Sequence, residues 1–433
     1  MIKKYQRSEL DARALDVPEQ VNIAMVEIGA DMREGLLAVA VGAGLQVMAQ
    51  LMEADVTAVC GPRGQHNPDR VATRHGTERG SVTLGGRRVP VTRPRVRAVD
   101  GSGEVAVPAY EVFTGTEPLG RMALERMLAE VSTRRYPVAL EPVGASVQDA
   151  ASSTSKSAVS RKFVAMTETA LTELLGADLS ALDLVAVMID GVHFAEHLCV
   201  VALGIDIDGT KHPLAVVEGS TENTTRVKGL LVGLRERGLD TTKPILAVLD
   251  GAKALTAAVK EVFDKPVIGR CQLHKLRNVR DHLPERMRGP VEKRMPQAYH
   301  AGSALEAEAL LTALAKELDK THPGAAASLR EGLPETLTVL RLEVPPTLAR
   351  TLRSTNAIES MISISRDHAR NVKRWRDGQM ALRWCAAGMT ETSKQFHRLN
   401  GHLHLPALRT TLQRHVAGES VGPDCNSQDV SAA

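Results

Sequence analysis

The chain has 433 residues, with 54 Lys+Arg against 51 Asp+Glu (formal net charge +3), 43% hydrophobic, 24% charged and only 3% aromatic residues. That length suits about two to four domains, and the composition excludes disorder as the main state. With so few aromatics, a sequence-tolerant strand binder that stacks bases on aromatic platforms is not expected.

The near-neutral total hides its distribution. Nine arginines lie between Arg63 and Arg97 against Asp69 and Glu78, and seven basic residues lie between Arg350 and Arg376 against Glu359 and Asp367. Such blocks point to local contact with a polyanion rather than a uniformly basic surface. The five cysteines, at 60, 199, 271, 385 and 425, are odd in number and contain no Cys-x-x-Cys. A disulfide framework is therefore not expected, and a reducing cytoplasm is the natural setting. The first residues show no apolar signal-peptide core.

In chain order, residues 18–58 read as helix, with Pro18 near the start. Within it, Gly35 to Met52 carries no charge. This is short for a membrane span and is interrupted by Gly and Gln, so a buried helix is expected and no membrane partner. After Gly61-Pro62, Val82, Leu84, Val89 and Val91 alternate with polar residues, which predicts a small basic β-hairpin module. Residues 117–140 turn helical again. The Ser-rich stretch 146–162 reads either as two short helices around a turn, in the manner of a helix-turn-helix ending in Arg161-Lys162, or as a linker.

From residue 184 the pattern becomes α/β. Leu184–Asp190 is an apolar run ending in an acid, Leu198–Ile207 is a second strand, and Asp208-Gly209 is a hairpin signal before a third strand at 211–217. A helix over 224–237 leads to Pro244–Asp250, again an apolar run ending in an acid. A helix at 252–263, a strand at 266–269 and a helix from Cys271 follow. Three antiparallel strands, a helix and a further strand are the strand order of a ribonuclease-H-like core. Residues 285–345 carry only helical signals and read as an insertion.

The predicted organisation is multidomain, in seven segments. A helical N-terminal region over 1–60, a possible dimerisation element, is followed by the β-hairpin module over 61–110 and a helical DNA-binding region over 111–175. An α/β core begins over 180–284, is interrupted by an all-helical insertion over 285–346, and closes with C-terminal helices over 347–416. A disordered tail spans 417–433.

Both Asp190 and Asp250 precede a glycine at the end of an apolar strand. An acid there projects from a rigid frame into the crevice where α/β sheets build sites, and the glycine lets the chain turn sharply. One Asp-Gly is more often a plain turn, whereas two on the first and fourth strands are informative. Carboxylates from adjacent strands converge on a hard cation, Mg²⁺ or Mn²⁺, and two such ions suit phosphodiester chemistry. The best third acid is Glu359, in a helix after the cap-like Ser354-Thr-Asn. Cys271-x-x-His274 is half of a zinc pattern without a second pair. It reads instead as a helix beside the site, with His274, Lys275 or Arg277 meeting a phosphate, or with His274 simply hydrogen-bonded in the core.

Four blocks, Ile189-Asp-Gly, Leu249-Asp-Gly-Ala-Lys-Ala-Leu, Arg270-Cys-Gln-Leu-His-Lys-Leu-Arg-Asn-Val and Ser354-Thr-Asn-Ala-Ile-Glu-Ser, occur in this order. With Gly76-Thr-Glu-Arg-Gly-Ser-Val-Thr-Leu and Val131-Ser-Thr-Arg-Arg-Tyr136, the chain resembles the mutator-type transposases of bacterial insertion sequences over nearly its whole length. The resemblance implies a DDE active site of Asp190, Asp250 and Glu359 holding two Mg²⁺ or Mn²⁺ ions, and places the family's Cys-x-x-His on Cys271 and His274. It further implies nicking at terminal inverted repeats, joining to target DNA, a copied circular intermediate and a short target duplication.

The chain departs from the family where Ser363-Ile-Ser intervenes before the basic run. Phosphate contacts are accordingly expected from Arg366, Arg370, Lys373 and Arg374. Upstream, Arg87, Arg88, Arg93, Arg95, Arg97, Arg161 and Lys162 are expected to bind DNA. A homodimer or higher oligomer would pair two ends, in the bacterial cytoplasm and on the nucleoid when bound. The alternatives are an inactive transposase-derived DNA-binding protein and a ribonuclease-H-like nuclease without strand transfer.

Overall fold

The computed structural model describes residues 35–221 and 223–418. The sequence expectations for residues 1–34 and 419–433, and for Cys425, lie outside them. The chain forms two compact units that divide between Phe163 and Val164, within the helix Lys156–Gly176.

In the first unit, helix Leu36–Cys60 precedes a long antiparallel hairpin, β1 (Ala72–Leu84) and β2 (Arg87–Ala98), with a short third strand β3 (Glu104–Val105). The hairpin closes through Gly85 and Gly86, both at positive φ (52° and 76°), between the paired Leu84 and Arg87. A two-residue turn of this kind needs positive φ at both positions, which glycine adopts freely. Val82, Val89 and Val96 meet Met48, Met52, Val56 and Cys60 of the helix in one core.

The helix corrects the expectation of burial. It is long and apolar enough to cross a membrane by length and composition, and 17% of its most apolar window is buried. Its buried stripe, Met48, Met52, Val56 and Cys60, recurs every four residues and reaches the hairpin, while Leu36, Leu37, Val47 and Leu51 are exposed. Absence of charge recorded an apolar helix, but only one side of it finds a partner among the described residues.

Helices Pro108–Thr114, Glu117–Leu128, Ala145–Ala150 and the start of Lys156–Gly176 complete this unit. The last two flank a polar turn, one of the two readings of the Ser-rich stretch, although the second helix runs for 21 residues rather than being short. Ser152 pairs by backbone with Arg88 at the hairpin edge.

The second unit is built on a five-stranded mixed sheet in the order β6-β5-β4-β7-β8, formed by β4 (Leu184–Phe194), β5 (His197–Asp206), β6 (Lys211–Glu218), β7 (Ile245–Leu249) and β8 (Pro266–Arg270). β4, β5 and β6 pair antiparallel, and β7 and β8 add parallel to β4. The parallel pairings require crossovers, which helices Thr224–Glu236 and Lys253–Val262 supply.

Val185 through Ile189 are fully buried because both faces of the sheet are covered. Val187, Ile189, Ala247 and Leu249 pack with the two crossover helices. Helix Asn356–His368 packs on β4, and helix Gly378–Ser393 on β5 and β6. Arg409, from helix Leu405–Ala417, donates to Asp183 Oδ1 and the Leu184 and Pro244 carbonyls at 2.6–2.7 Å, which pins the first turns of β4 and β7.

Residues 285–341 contain helices Glu285–Tyr299, Ala304–Asp319, Pro323–Arg330, Leu333–Thr336 and Thr338–Arg341. They share a hydrophobic core with Val279 and Leu283.

Candidate active site

β4 is longer than its apolar run. It continues through Asp190 to Phe194 because Gly191, Val192 and His193 keep pairing with β5, so Asp190 stands opposite Val201 within the strand rather than at its end. Ile189 pairs with Leu249 in the parallel β4–β7 register. The residue after each is an aspartate, so the chain carries Asp190 and Asp250 out of this adjacent pair at the same level. Alternation places Asp190 on the face of Ala186 and Met188, toward helix Asn356–His368, which carries Glu359 in its first turn.

Each aspartate is oriented by backbone. Gly191 N–H donates to Asp190 Oδ1 at 2.7 Å, and Ala252 N–H donates to Asp250 Oδ1 at 2.8 Å. Burial pushes the Asp190 carboxyl up to about 6; the Gly191 N–H and the charge of His274 oppose that rise, whereas Asp250 and Glu359 add to it. The three acids and His274 therefore share one electrostatic neighbourhood.

Gly251 has φ +107°, which places its backbone against the Arg270 guanidinium. Arg270, nearly buried, donates to the Glu331 carbonyl at 3.0 Å and joins the end of β8 to the helical region.

The Cys-x-x-His turn lies against this frame. Cys271 N–H donates to the Leu249 carbonyl at 2.8 Å, directly before Asp250, and Gln272 N–H donates to the Arg353 carbonyl at 2.9 Å. His274 Nδ1 is 3.8 Å from Glu359 Oε1, and one ligand atom from each of Cys271, His274 and Glu359 lies within 4.8 Å of the others. Burial raises the Cys271 thiol, but hydrogen bonds from His274 and Thr355 outweigh it and hold the group below its ordinary value. His274 is raised, first by its hydrogen bond to Cys271 and then by the charges of Cys271, Glu359 and Asp190, against burial.

The cap-like Ser-Thr-Asn behaves differently from a cap. Thr355 precedes the helix, yet its hydroxyl donates to Glu359 Oε1 at 2.7 Å and its oxygen accepts from no helix N–H. The sequence held the signal, a threonine four residues before the glutamate, which share one side of a helix.

Several basic residues expected to meet DNA are occupied elsewhere. Arg87 is 2% exposed and donates to the Glu141 carbonyl at 3.0 Å. Arg88 donates to Ser81, Thr83 and the Thr114 carbonyl. Lys275 is fully buried and donates to the carbonyls of Ser328 and Glu331. Lys162, half-buried, donates to the Ser153 carbonyl at 3.0 Å. Each of these four side chains is held by backbone carbonyls of the protein itself.

Arg93 and Arg95 form a ladder with Glu78 and Glu104, and Arg93 also covers the Tyr110 ring at 5.0 Å. Glu104 lies just beyond the basic block and partly neutralises it. Arg97, Arg161, Arg277, Arg366, Arg370, Lys373 and Arg374 are exposed. Trp375 packs against Phe194 of β4, with ring centroids 4.8 Å apart and planes tilted by 48°, so the basic segment 373–376 is anchored beside the strand that bears Asp190.

The profile of the family described as "Transposase, Mutator family" matches residues 28–398. The transposase for insertion sequence element ISRM5 of Rhizobium meliloti (strain 1021) is 28% identical over 373 residues, 84% of this chain and 90% of its own length. The transposase for IS6120 of Mycolicibacterium smegmatis is 32% identical over 188 residues, and that for IST2 of Acidithiobacillus ferrooxidans 29% over 173. These two alignments cover 42% and 40% of this chain and 57% of either relative.

Proposed function

The chain belongs to the Mutator family of transposases and is a DDE-type transposase of insertion sequence elements; on that premise we propose that Asp190, Asp250 and Glu359 are its catalytic carboxylates, set in a ribonuclease-H-like core. The observation that carries this reading is the Ile189–Leu249 register, which sets two aspartates side by side on the face that the Glu359 helix covers.

Enzymes of this family typically use divalent metal ions. The site fits them: its acidic donors are carboxylate oxygens, and burial of Asp190 beside two further acids is a cost that a cation relieves. In our reading the three carboxylates hold two Mg²⁺ or Mn²⁺ ions. Such ions, when bound, stabilise the negative charge that builds on a phosphate under attack.

This chain's own residues then do three things. Asp190 and Asp250, fixed by backbone N–H groups, and Glu359, fixed by Thr355, present oxygens in a rigid frame. Arg277, Arg366, Arg370, Lys373 and Arg374 bind DNA phosphates around that frame, with His274 the basic group nearest the acids. In the first unit Arg97 and Arg161, with the partly neutralised Arg93 and Arg95, contribute to holding the terminal inverted repeats.

The reaction is a pair of in-line displacements at phosphorus. Water attacks at the element end and the P–O3′ bond breaks, leaving a 3′-hydroxyl. That hydroxyl attacks a target phosphorus, a new P–O bond forms, and the target's 3′-oxygen leaves. Because an element has two ends, at least two copies act together, in the bacterial cytoplasm.

The test is incubation of the protein with DNA carrying the element's inverted repeats, with Mg²⁺ or with EDTA. Metal-dependent nicking followed by joining is expected. Binding without nicking supports the inactive DNA-binding protein, and nicking without joining supports a plain nuclease.

A further inference from the structure

Thr355 is fully buried. Its hydroxyl lies 2.7 Å from Glu359 Oε1, 3.3 Å from His274 Nδ1 and 3.3 Å from Cys271 Sγ, and its backbone N–H donates to Cys271 Sγ at 3.4 Å. We propose that Thr355 is the positioning residue of this site, fixing the Glu359 carboxylate and tying its helix to the Cys271-x-x-His274 turn. The proposal rests on the reading of Glu359 as the third carboxylate.

A hydroxyl carries one proton and two lone pairs. The carboxylate is the nearest acceptor and takes the proton, in a bond strengthened by its charge. His274 Nδ1 lies 3.3 Å from the same hydroxyl and 3.8 Å from the carboxylate oxygen. The Cys271 sulfur is held by the Thr355 backbone N–H, and Cys271 in turn donates its own N–H to Leu249. A chain of contacts thus runs from the end of β7, one residue before Asp250, through Cys271 and Thr355 to Glu359.

This gives the Cys-x-x-His turn a use without a second ligand pair. Cys271, His274 and Glu359 bring ligand atoms within 4.8 Å of one another, and the hydroxyl contacts all three. A glutamate has three side-chain torsions, and a donor four residues earlier, at the start of its helix, removes most of that freedom. One carboxylate oxygen is engaged, and the other remains for a cation. Productive geometry in such a site tolerates about half an ångström.

The test compares Thr355→Val, nearly the same shape without the hydroxyl, with Thr355→Ser, which keeps it. Three quantities are measured: Mn²⁺ affinity of the DNA-free protein by calorimetry, strand transfer against Mg²⁺ concentration, and affinity for end DNA. A hydrogen bond to a charged group corresponds to about a tenfold effect or more. Thr355→Val is therefore expected to weaken Mn²⁺ binding and raise the half-maximal Mg²⁺ concentration by about tenfold, with end binding unchanged, and Thr355→Ser to restore both to within about threefold. Thr355→Ala serves where valine disturbs folding.

Wild-type Mn²⁺ affinity in the folded valine or alanine variant overturns the proposal, as does a serine variant as impaired as valine. Glu359→Gln separates this outcome from failure of the underlying reading. If that variant keeps wild-type metal affinity and joining, Glu359 is not a site carboxylate. If it loses both while Thr355→Val loses neither, only the role of Thr355 falls.

Discussion

Ile189 on β4 stands opposite Leu249 on β7 in parallel register, and the residue after each is an aspartate. The convergence of Asp190 and Asp250 is therefore set by backbone pairing in the middle of a sheet, where a one-residue slip would turn one acid to the other face. Glu359 comes from a helix packed on the same strand, and its position depends on side-chain contacts.

Clustered acids carry a pH signature. Asp190 binds its proton more tightly in the folded protein, at about 6, than in an unfolded chain, at about 3.9. The folded state is thus favoured by protonation, and the metal-free protein loses stability as pH rises from about 4 through 6. With partial exposure the loss is on the order of 1–2 kcal/mol. In EDTA, Asp190→Asn should lose less Tm than the wild type between pH 5 and pH 8, and Mg²⁺ should restore the wild type at pH 8. Equal losses in both proteins would remove the basis for a strained carboxylate cluster.

Gly251→Ala tests the turn after β7. At φ +107° an added Cβ is strained and meets the Arg270 guanidinium, which Glu331 holds in place. A destabilisation of about 2–4 kcal/mol is expected, read as a lowered Tm, with a larger loss of joining because Asp250 is displaced. Unchanged Tm and activity would show that this backbone is free to relax.

The basic module separates into two groups. Arg97→Gln and Arg161→Gln should each lower the slope of log affinity for end DNA against log salt by roughly 1, with little change in Tm. Arg87→Gln and Arg88→Gln should instead lower the Tm of the first unit, because each breaks inward hydrogen bonds to backbone carbonyls. A reversed pattern would mean that the inward arginines turn out to meet DNA.

Much of the sheet was legible in the sequence. The apolar runs at 184–190 and 244–250 gave β4 and β7, the Asp-Gly pairs marked two acids, and alternation at 82–91 gave the hairpin. What stayed hidden were partners distant in sequence. Arg87 finds the carbonyl of Glu141, Lys275 those of Ser328 and Glu331, and a count of charges treats all of them as free. The uncharged helix misled in the opposite sense, since apolarity does not say how many sides are covered. Ser354-Thr-Asn resembled a cap, and only the placement of Cys271 and His274 turned the threonine toward Glu359.

The most direct measurement is strand transfer by Asp250→Asn, read as joined product from inverted-repeat DNA in Mg²⁺ beside end-binding affinity in the same preparation. End binding within about twofold of wild type, with joining reduced by roughly 10³-fold or more, is the predicted result. Near-wild-type joining by that variant would contradict the assignment of the site.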